Sequence, residues 1–165
     1  MSYLAAGRLD DALAEFRTVL TLSPGFASEH QYIGRILLRQ GDAKSALAEI
    51  QQEPMESWRL IGLVMAYHAL GRKTDSDAAL DELIRKHGQN LPEEVAYAMA
   101  YRGETDRVFE WLKDADMRNL GVGIVASQAM LQDLHSDPRW LPFLRKIGRA
   151  PEQLAAIKFD VKVPN

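Results

Sequence analysis

Apolar residues recur at helical spacing along most of the chain, and short breaks containing Gly or Pro separate these stretches. The pattern predicts an all-α protein. Expected helices run over residues 9–22, 26–40, 42–52, 55–70, 74–87, from 92 towards the turn at 103, over 104–117 and over 124–134. After residue 137, Trp140, Phe143, Leu144 and Ile147 form one apolar stripe at helical spacing, and residues 151–157 predict a last helical turn or two.

The predicted helices are ordered by a repeat. Its turn glycines, Gly7, Gly41, Gly71 and Gly103, are separated by 34, 30 and 32 residues. Five residues after each glycine lies Ala12, Ala46, Ser76 or Val108, nine residues after it lies Phe16, Ile50, Leu80 or Leu112, and four residues before it lies Tyr3, Leu37, Tyr67 or Met99. A period of this size predicts a solenoid of helix pairs.

Each repeated position has a physical role. A glycine can adopt a positive φ, so it can end the first helix of a pair and turn the chain back. The small residue that follows lets the two helix backbones approach closely, and the larger apolar residue fills the space between neighbouring pairs. A plain antiparallel bundle would not need the glycines in register.

This layout resembles the tetratricopeptide repeat (TPR), with the better match in the first two repeats and coverage of about residues 1–117. The resemblance implies a right-handed α-solenoid superhelix. Residues 1–118 would hold about three and a half helix pairs, the first one truncated, and residues 119–165 would form C-terminal capping helices and a tail. Because Tyr3 stands where the first helix should already be ending, we expect the chain to be the C-terminal part of a longer polypeptide.

The end of the chain extends the resemblance. Phe109, Trp111 and Leu112, then the run from Ser136 to Trp140, then the run from Leu144 to Gly148, look like the ending of bacterial TPR regions. Such regions are attached to adenylate or guanylate cyclases, winged-helix regulators and Ser/Thr kinases. The resemblance thus implies a scaffolding or sensing role in signalling. The chain departs from the pattern at Pro142, which we expect to cost the last helix one hydrogen bond. It also lacks the Asp-Pro pairs that usually lie between the Phe109–Leu112 motif and the Ser136–Trp140 motif.

Composition excludes several functions. A net charge of −3 and a pI near 5.8 give no electrostatic case for nucleic acid. The absence of cysteine excludes disulfides and thiol chemistry. No apolar run is long enough to cross a bilayer and no signal-peptide pattern is present, so we expect a cytoplasmic protein with no membrane partner.

Candidate chemistry is sparse. Gly121, Gly123 and Ala126 match the G-x-G-x-x-A dinucleotide pattern, but no strand precedes them, so a loop before a helix is the better interpretation. The histidines His30, His68, His87 and His135 lack the spacing of a metal site. We therefore expect no enzymatic activity, no metal and no cofactor.

What remains is a surface. In a TPR array the first helix of each pair lines a concave groove, which would bind a protein, a peptide or another domain of the parent chain. Counting back from each turn glycine predicts groove or edge positions at Gln31, Arg35, Arg39, Trp58, Met65, His68, Glu93, Tyr97 and Tyr101. Arg35 and Tyr97 are the expected anchors, and their loss should leave the melting temperature unchanged. For each residue, ordinary exposure or packing against the tail is the alternative, and homo-oligomerisation, for example as a homodimer, is the alternative function.

Overall fold

The computed structural model describes residues 8–26, 28–114 and 134–157, and the regular structure in these ranges is entirely helical. The helices, labelled in chain order, are α1 Leu9–Leu22, α2 Glu29–Arg39, α3 Ala43–Ile50, α4 Glu56–Ala69, α5 Lys73–His87, α6 Pro92–Tyr101, α7 Thr105–Asp114, α8 Trp140–Lys146 and α9 Pro151–Ala155. The all-α prediction is confirmed for these ranges. No helix in the described ranges is long and apolar enough to cross a membrane.

Consecutive helices pack against each other from α1 through α7. In addition, α4 contacts both α2 and α6. Short connections join these helices, which places successive helices antiparallel and makes α2, α4 and α6 point the same way. The three helices therefore lie side by side and present one continuous strip.

The predicted turns carry the expected backbone geometry. Gly41, Gly71 and Gly103 have φ of 83°, 70° and 73°, the left-handed region that favours glycine. In each case the amide after the glycine donates back to the carbonyl four residues before it, as in Asp42 N to Leu37 O at 2.9 Å. These bonds are those of a Schellman C-cap. The side chain of Asp42 also accepts from Ser45 N at 3.1 Å, so Asp42 caps the N-terminus of α3.

The small positions are buried where two helices meet. Ala12, Ala46, Ser76 and Val108 are all at most 2% exposed. Ser76 shows how close the helices come, because its hydroxyl on α5 donates to the carbonyl of Val64 on α4 at 2.8 Å. A larger side chain would separate the two backbones.

Ile50 fills the space between neighbouring helix pairs by packing against two glycines. A Cβ built on Gly34 of α2 would overlap the Cγ1 of Ile50 and lie 2.7 Å from its Cδ1. A Cβ on Gly62 of α4 would lie 2.7 Å from the Cγ2 of the same side chain. Ile50 is fully buried, so it has nowhere to move.

We therefore expect Gly34→Ala to lower the free energy of unfolding by about 1–3 kcal/mol, measured by chemical denaturation, because it overpacks this contact. In an Ile50→Ala background the same change should become neutral or stabilising, since alanine favours a helix over glycine by about 1 kcal/mol. If Gly34→Ala lowers the free energy of unfolding equally with Ile50 and with Ala at position 50, the Ile50 side chain is not what the added methyl group overlaps.

At the C-terminal end the predicted apolar stripe is buried. Trp140, Phe143 and Leu144 are at most 9% exposed, and Ile147 is half-buried against the core. The helix that carries them contacts α7 through Arg139, whose guanidinium pairs with Asp106 at 2.8 Å and lies over the Phe109 ring at 4.4 Å.

One expectation about α8 needs correction. Pro142 lies in the first turn, where an amide has no partner within the helix, so the expected loss of a backbone hydrogen bond does not occur. The N-cap residue of α8 is Arg139. Asp137 accepts hydrogen bonds from the backbone and side chain of Arg139, which holds the pKa of the Asp137 carboxyl at about 2.

Several sequence predictions fall outside the described residues. They are the truncated first helix with Tyr3 and Gly7, the glycine-rich stretch 121–126, all but the last residue of the helix predicted over 124–134, and the tail beyond residue 157.

Candidate functional site

The predicted groove residues divide into two groups on the strip formed by α2, α4 and α6. Arg39 and His68 are exposed, and four more are half-buried: Arg35, Trp58, Glu93 and Tyr101. The other three, Gln31, Met65 and Tyr97, are at most 2% exposed. A ligand on the strip could therefore reach six of the nine predicted positions.

Tyr97 on α6 is buried, and the side chain of Arg35 reaches its ring from α2. The Arg35 guanidinium lies over the Tyr97 ring, with its Cζ 4.1 Å from the ring centroid. Burial raises the pKa of the Tyr97 hydroxyl to about 12, and the neighbouring Arg35 opposes part of that rise. Substituting Tyr97 should lower stability, contrary to the expectation from sequence, since a buried ring is removed.

An aromatic cluster adjoins Arg35. Tyr32 stacks on Phe16 at 5.2 Å between centroids and lies 6.2 Å from the Trp58 ring, while Arg35 lies 5.6 Å from Tyr32. These side chains join α1, α2 and α4 and are half-buried. The sequence prediction missed Tyr32 and Phe16. Tyr32 could have been found, because it precedes Arg35 by three residues and so shares its helix face.

Acidic and amide groups lie one helical turn before the Arg35–Tyr97 contact. Gln31 is fully buried and Glu94 is 9% exposed. Both side-chain polar atoms of Gln31, one carboxylate oxygen of Glu94 and one of Glu93 are buried without a hydrogen-bond partner. Burial raises the pKa of the Glu94 carboxyl; Arg35 partly offsets this rise and Glu93 adds to it.

At the opposite end of the strip, His68 meets the edge of the Tyr101 ring at 6.0 Å between centroids. A cleft of about 320 Å³ opens here and is lined by His68, Gly71, Lys73, Arg102 and Glu104. The side chain of Arg102 is 6% exposed and pairs with both Asp77 and Glu104. Its charge is therefore neutralised within the protein, and it fastens α5 to the turn before α7.

Glu53 is a structural residue that the sequence prediction missed. It is 1% exposed, and its carboxylate accepts from Ser28 N at 3.1 Å, Gln31 N at 3.4 Å and Met55 N at 3.1 Å. Ser28 has a φ of 83°, unusual for a residue with a Cβ. Glu53 thus holds the positive end of α2 and the strained residue before it. Nothing in the sequence around Glu53, which directly precedes Pro54, predicted that its carboxylate contacts the start of α2.

The histidines do not come together. His30 bonds to Glu49 at 2.9 Å, His87 lies 3.6 Å from Glu56, and His135 stacks on Trp140. Within the described ranges no group of three or more His, Cys, Asp or Glu side chains could hold a metal ion.

No protein-family model matches the chain, and comparisons with curated proteins and with solved structures give no significant match.

Proposed function

We propose that this chain is a TPR-type α-solenoid that binds a protein or peptide along the strip formed by α2, α4 and α6. It would be a non-enzymatic module, the scaffolding or sensing part of a larger bacterial regulatory protein that acts in the cytoplasm. The ligand would be a segment of another protein or of another domain of the same polypeptide.

The observation that carries this proposal is the side-by-side packing of α2, α4 and α6, which brings side chains from three repeats onto one surface. Turn glycines with positive φ at the repeat positions support the TPR assignment. The apolar residue between pairs, Ile50, packs as the repeat requires.

The accessible part of the strip suits an extended peptide. Arg39 and the half-buried Arg35 offer charge-assisted hydrogen bonds to an acidic group. Trp58 and Tyr32 offer half-exposed aromatic surface, the kind of residue that anchors interfaces. His68 and Tyr101 extend the strip towards the turns.

The proposal is tested with fluorescein-labelled random heptapeptide pools and fluorescence anisotropy. Arg39→Ala and His68→Ala should each weaken the best-binding pool by about fivefold or more, about 1 kcal/mol. Because both side chains are exposed, the melting temperature should stay the same.

Arg85→Ala is the matched control, since Arg85 is 69% exposed on α5, outside the strip. It should leave affinity unchanged. If Arg85→Ala weakens binding while Arg39→Ala and His68→Ala do not, the binding surface lies on the second helices and the proposal is wrong.

Homo-oligomerisation is a second candidate, favoured by one observation. Leu22, the last residue of α1, is 79% exposed, and Phe26, four residues later in the chain, is 55% exposed. Exposed apolar surface of this kind can mark an interface. Light scattering at high micromolar concentration separates the two functions: a dimer that Leu22→Ser disrupts supports self-association, and a monomer excludes it.

A further inference from the structure

One side-chain contact on the strip skips a helix. Arg35 on α2 places its guanidinium Cζ 4.1 Å from the centroid of the Tyr97 ring on α6, although α4 lies between these helices and contacts both. In a solenoid each repeat ordinarily contacts only its neighbours, so this contact is additional to the packing of neighbouring helix pairs. The Arg35 side chain therefore spans the strip from one outer helix to the other.

Met65 on α4 lies beneath this contact. Arg35, Met65 and Tyr97 each stand six residues before the turn glycine of their repeat. Because α2, α4 and α6 point the same way and lie side by side, this equal register places Met65 between the other two residues. Met65 is fully buried, although its register position belongs to the face that the strip presents. An arginine stem that crosses from α2 to the Tyr97 ring explains this burial, because it passes over Met65.

We propose that Arg35 and Tyr97 form a latch across the strip, which covers Met65 and has to open before a ligand can occupy the centre of the strip. The ligand that fits this arrangement is a peptide in which an acidic residue is followed by an apolar one. Its carboxylate draws the Arg35 guanidinium off the ring, and its apolar side chain takes the uncovered place on Met65 and Tyr97. This inference rests on the proposed peptide-binding function.

The Arg35 guanidinium can accept such a partner. No carboxylate in the described part of the chain lies within ion-pair distance of it, whereas the equally half-buried Arg102 is paired with two acids. Burial raises the pKa of the Tyr97 hydroxyl, and the charge of Arg35 and a hydrogen bond to it offset part of that rise. The other N–H groups at the edge of the guanidinium remain for a carboxylate, which is a stronger partner than a ring face.

Charges along the strip direct the acid to one side of the latch. Arg39 follows Arg35 by one helical turn on α2, whereas Glu94 precedes Tyr97 by nearly one turn on α6. Since the two helices point the same way, Arg39 and Glu94 lie on opposite sides of the latch. An acid that approaches from the Arg39 side meets two guanidinium groups, whose formal charges exceed the partial negative charge at the end of α2. From the other side it would meet Glu94, with Glu93 beside it.

Methionine oxidation by hydrogen peroxide, followed residue by residue with mass spectrometry, tests the latch without any ligand. Met55 is 44% exposed and should oxidise fast, whereas Met65 and Met99 are buried and should oxidise slowly. In Arg35→Ala the Met65 rate should rise about tenfold, because its cover is gone, while the Met99 rate stays the same. Arg39→Ala is the matched control on the same helix and should leave all three rates unchanged.

Met99 separates uncovering from unfolding, because it is buried on the same helix as Tyr97 and is not part of the latch. A rise of the Met65 rate alone supports the latch. If the Met65 rate does not rise in Arg35→Ala, or rises only together with the Met99 rate, Arg35 does not act as a cover over Met65 and the latch is wrong.

The gating role is tested with two fluorescein-labelled heptapeptide pools whose central pair is Glu-Leu or Gln-Leu, the other positions being random. Gln matches Glu in shape but carries no charge. The intact chain should bind the Glu-Leu pool about tenfold more tightly than the Gln-Leu pool. Arg35→Ala should lose this preference and bind the Gln-Leu pool about fivefold more tightly than the intact chain does, because this pool no longer has to displace the latch.

Failure of this inference differs from failure of the proposed function. If both pools bind and Arg35→Ala weakens or leaves unchanged the affinity for the Gln-Leu pool, Arg35 is an ordinary anchor, so the gating role is wrong while peptide binding stands. If no pool binds, the proposed function falls and the gating role falls with it.

Discussion

Trp140→Ala is expected to lower the free energy of unfolding by about 3–5 kcal/mol, the largest loss we predict for a single substitution. Trp140 is 6% exposed, stacks on His135 at 4.8 Å and lies 5.6 Å from the Phe143 ring. Its removal leaves a cavity at the end of the helix series, where a solenoid would otherwise expose an apolar face. Urea denaturation followed by circular dichroism measures the change.

Leu141→Ala is the matched control, because Leu141 is the next residue of the same helix and is 39% exposed. It should cost within about 0.5 kcal/mol, as surface substitutions do. The loss of unfolding free energy for Trp140→Phe should lie between those for Trp140→Ala and Leu141→Ala, since phenylalanine keeps an aromatic ring at this position. A loss under about 1 kcal/mol for Trp140→Ala would contradict the capping role of α8.

Glu53→Ala is expected to lower the free energy of unfolding by about 3 kcal/mol, because it removes a charged acceptor and leaves one buried and two partly buried amides without this partner. The amides are those of Ser28, Gln31 and Met55, at the start of α2 and before α4. The change should also weaken protection of the first turn of α2 in hydrogen exchange, since these bonds hold that end.

Gln52→Ala is the control for this substitution, as Gln52 is exposed in the turn after α3 and its side chain donates to Ala48 O in the preceding helical turn. Glu53→Gln keeps one acceptor oxygen and should lose less than Glu53→Ala. If Glu53→Ala and Gln52→Ala cost the same, the carboxylate does not hold α2, and the left-handed Ser28 must be maintained by other contacts.

Much of the fold could be predicted from local sequence. The bounds of α1 agree with the prediction, and the turns at Gly41, Gly71 and Gly103 have the expected left-handed backbone. These features depend on residues within one helical turn, so the sequence carries the signal directly. The superhelix itself remains a proposal, because the relation between distant repeats does not follow from local pattern.

The candidate site was predictable only in part. The repeat register identified the strip, including Arg39 and His68, which are exposed there. It did not indicate that Gln31, Met65 and Tyr97 are buried, because burial depends on how side chains from different helices pack, as that of Arg35 does on Tyr97. The repeat register also does not identify a partner, so peptide binding stays a prediction.

The sequence by itself determined the helices, the turn glycines and the small residues that let paired helices approach, since each is set by backbone sterics over a few neighbouring positions. Only the tertiary structure decided the contacts between distant segments. Glu53 reaches the start of α2, Ile50 packs on both Gly34 and Gly62, and Arg35 covers Tyr97. Each of these contacts joins residues from different helices or loops, and such contacts form only when the packing of whole helices brings their side chains within a few ångströms.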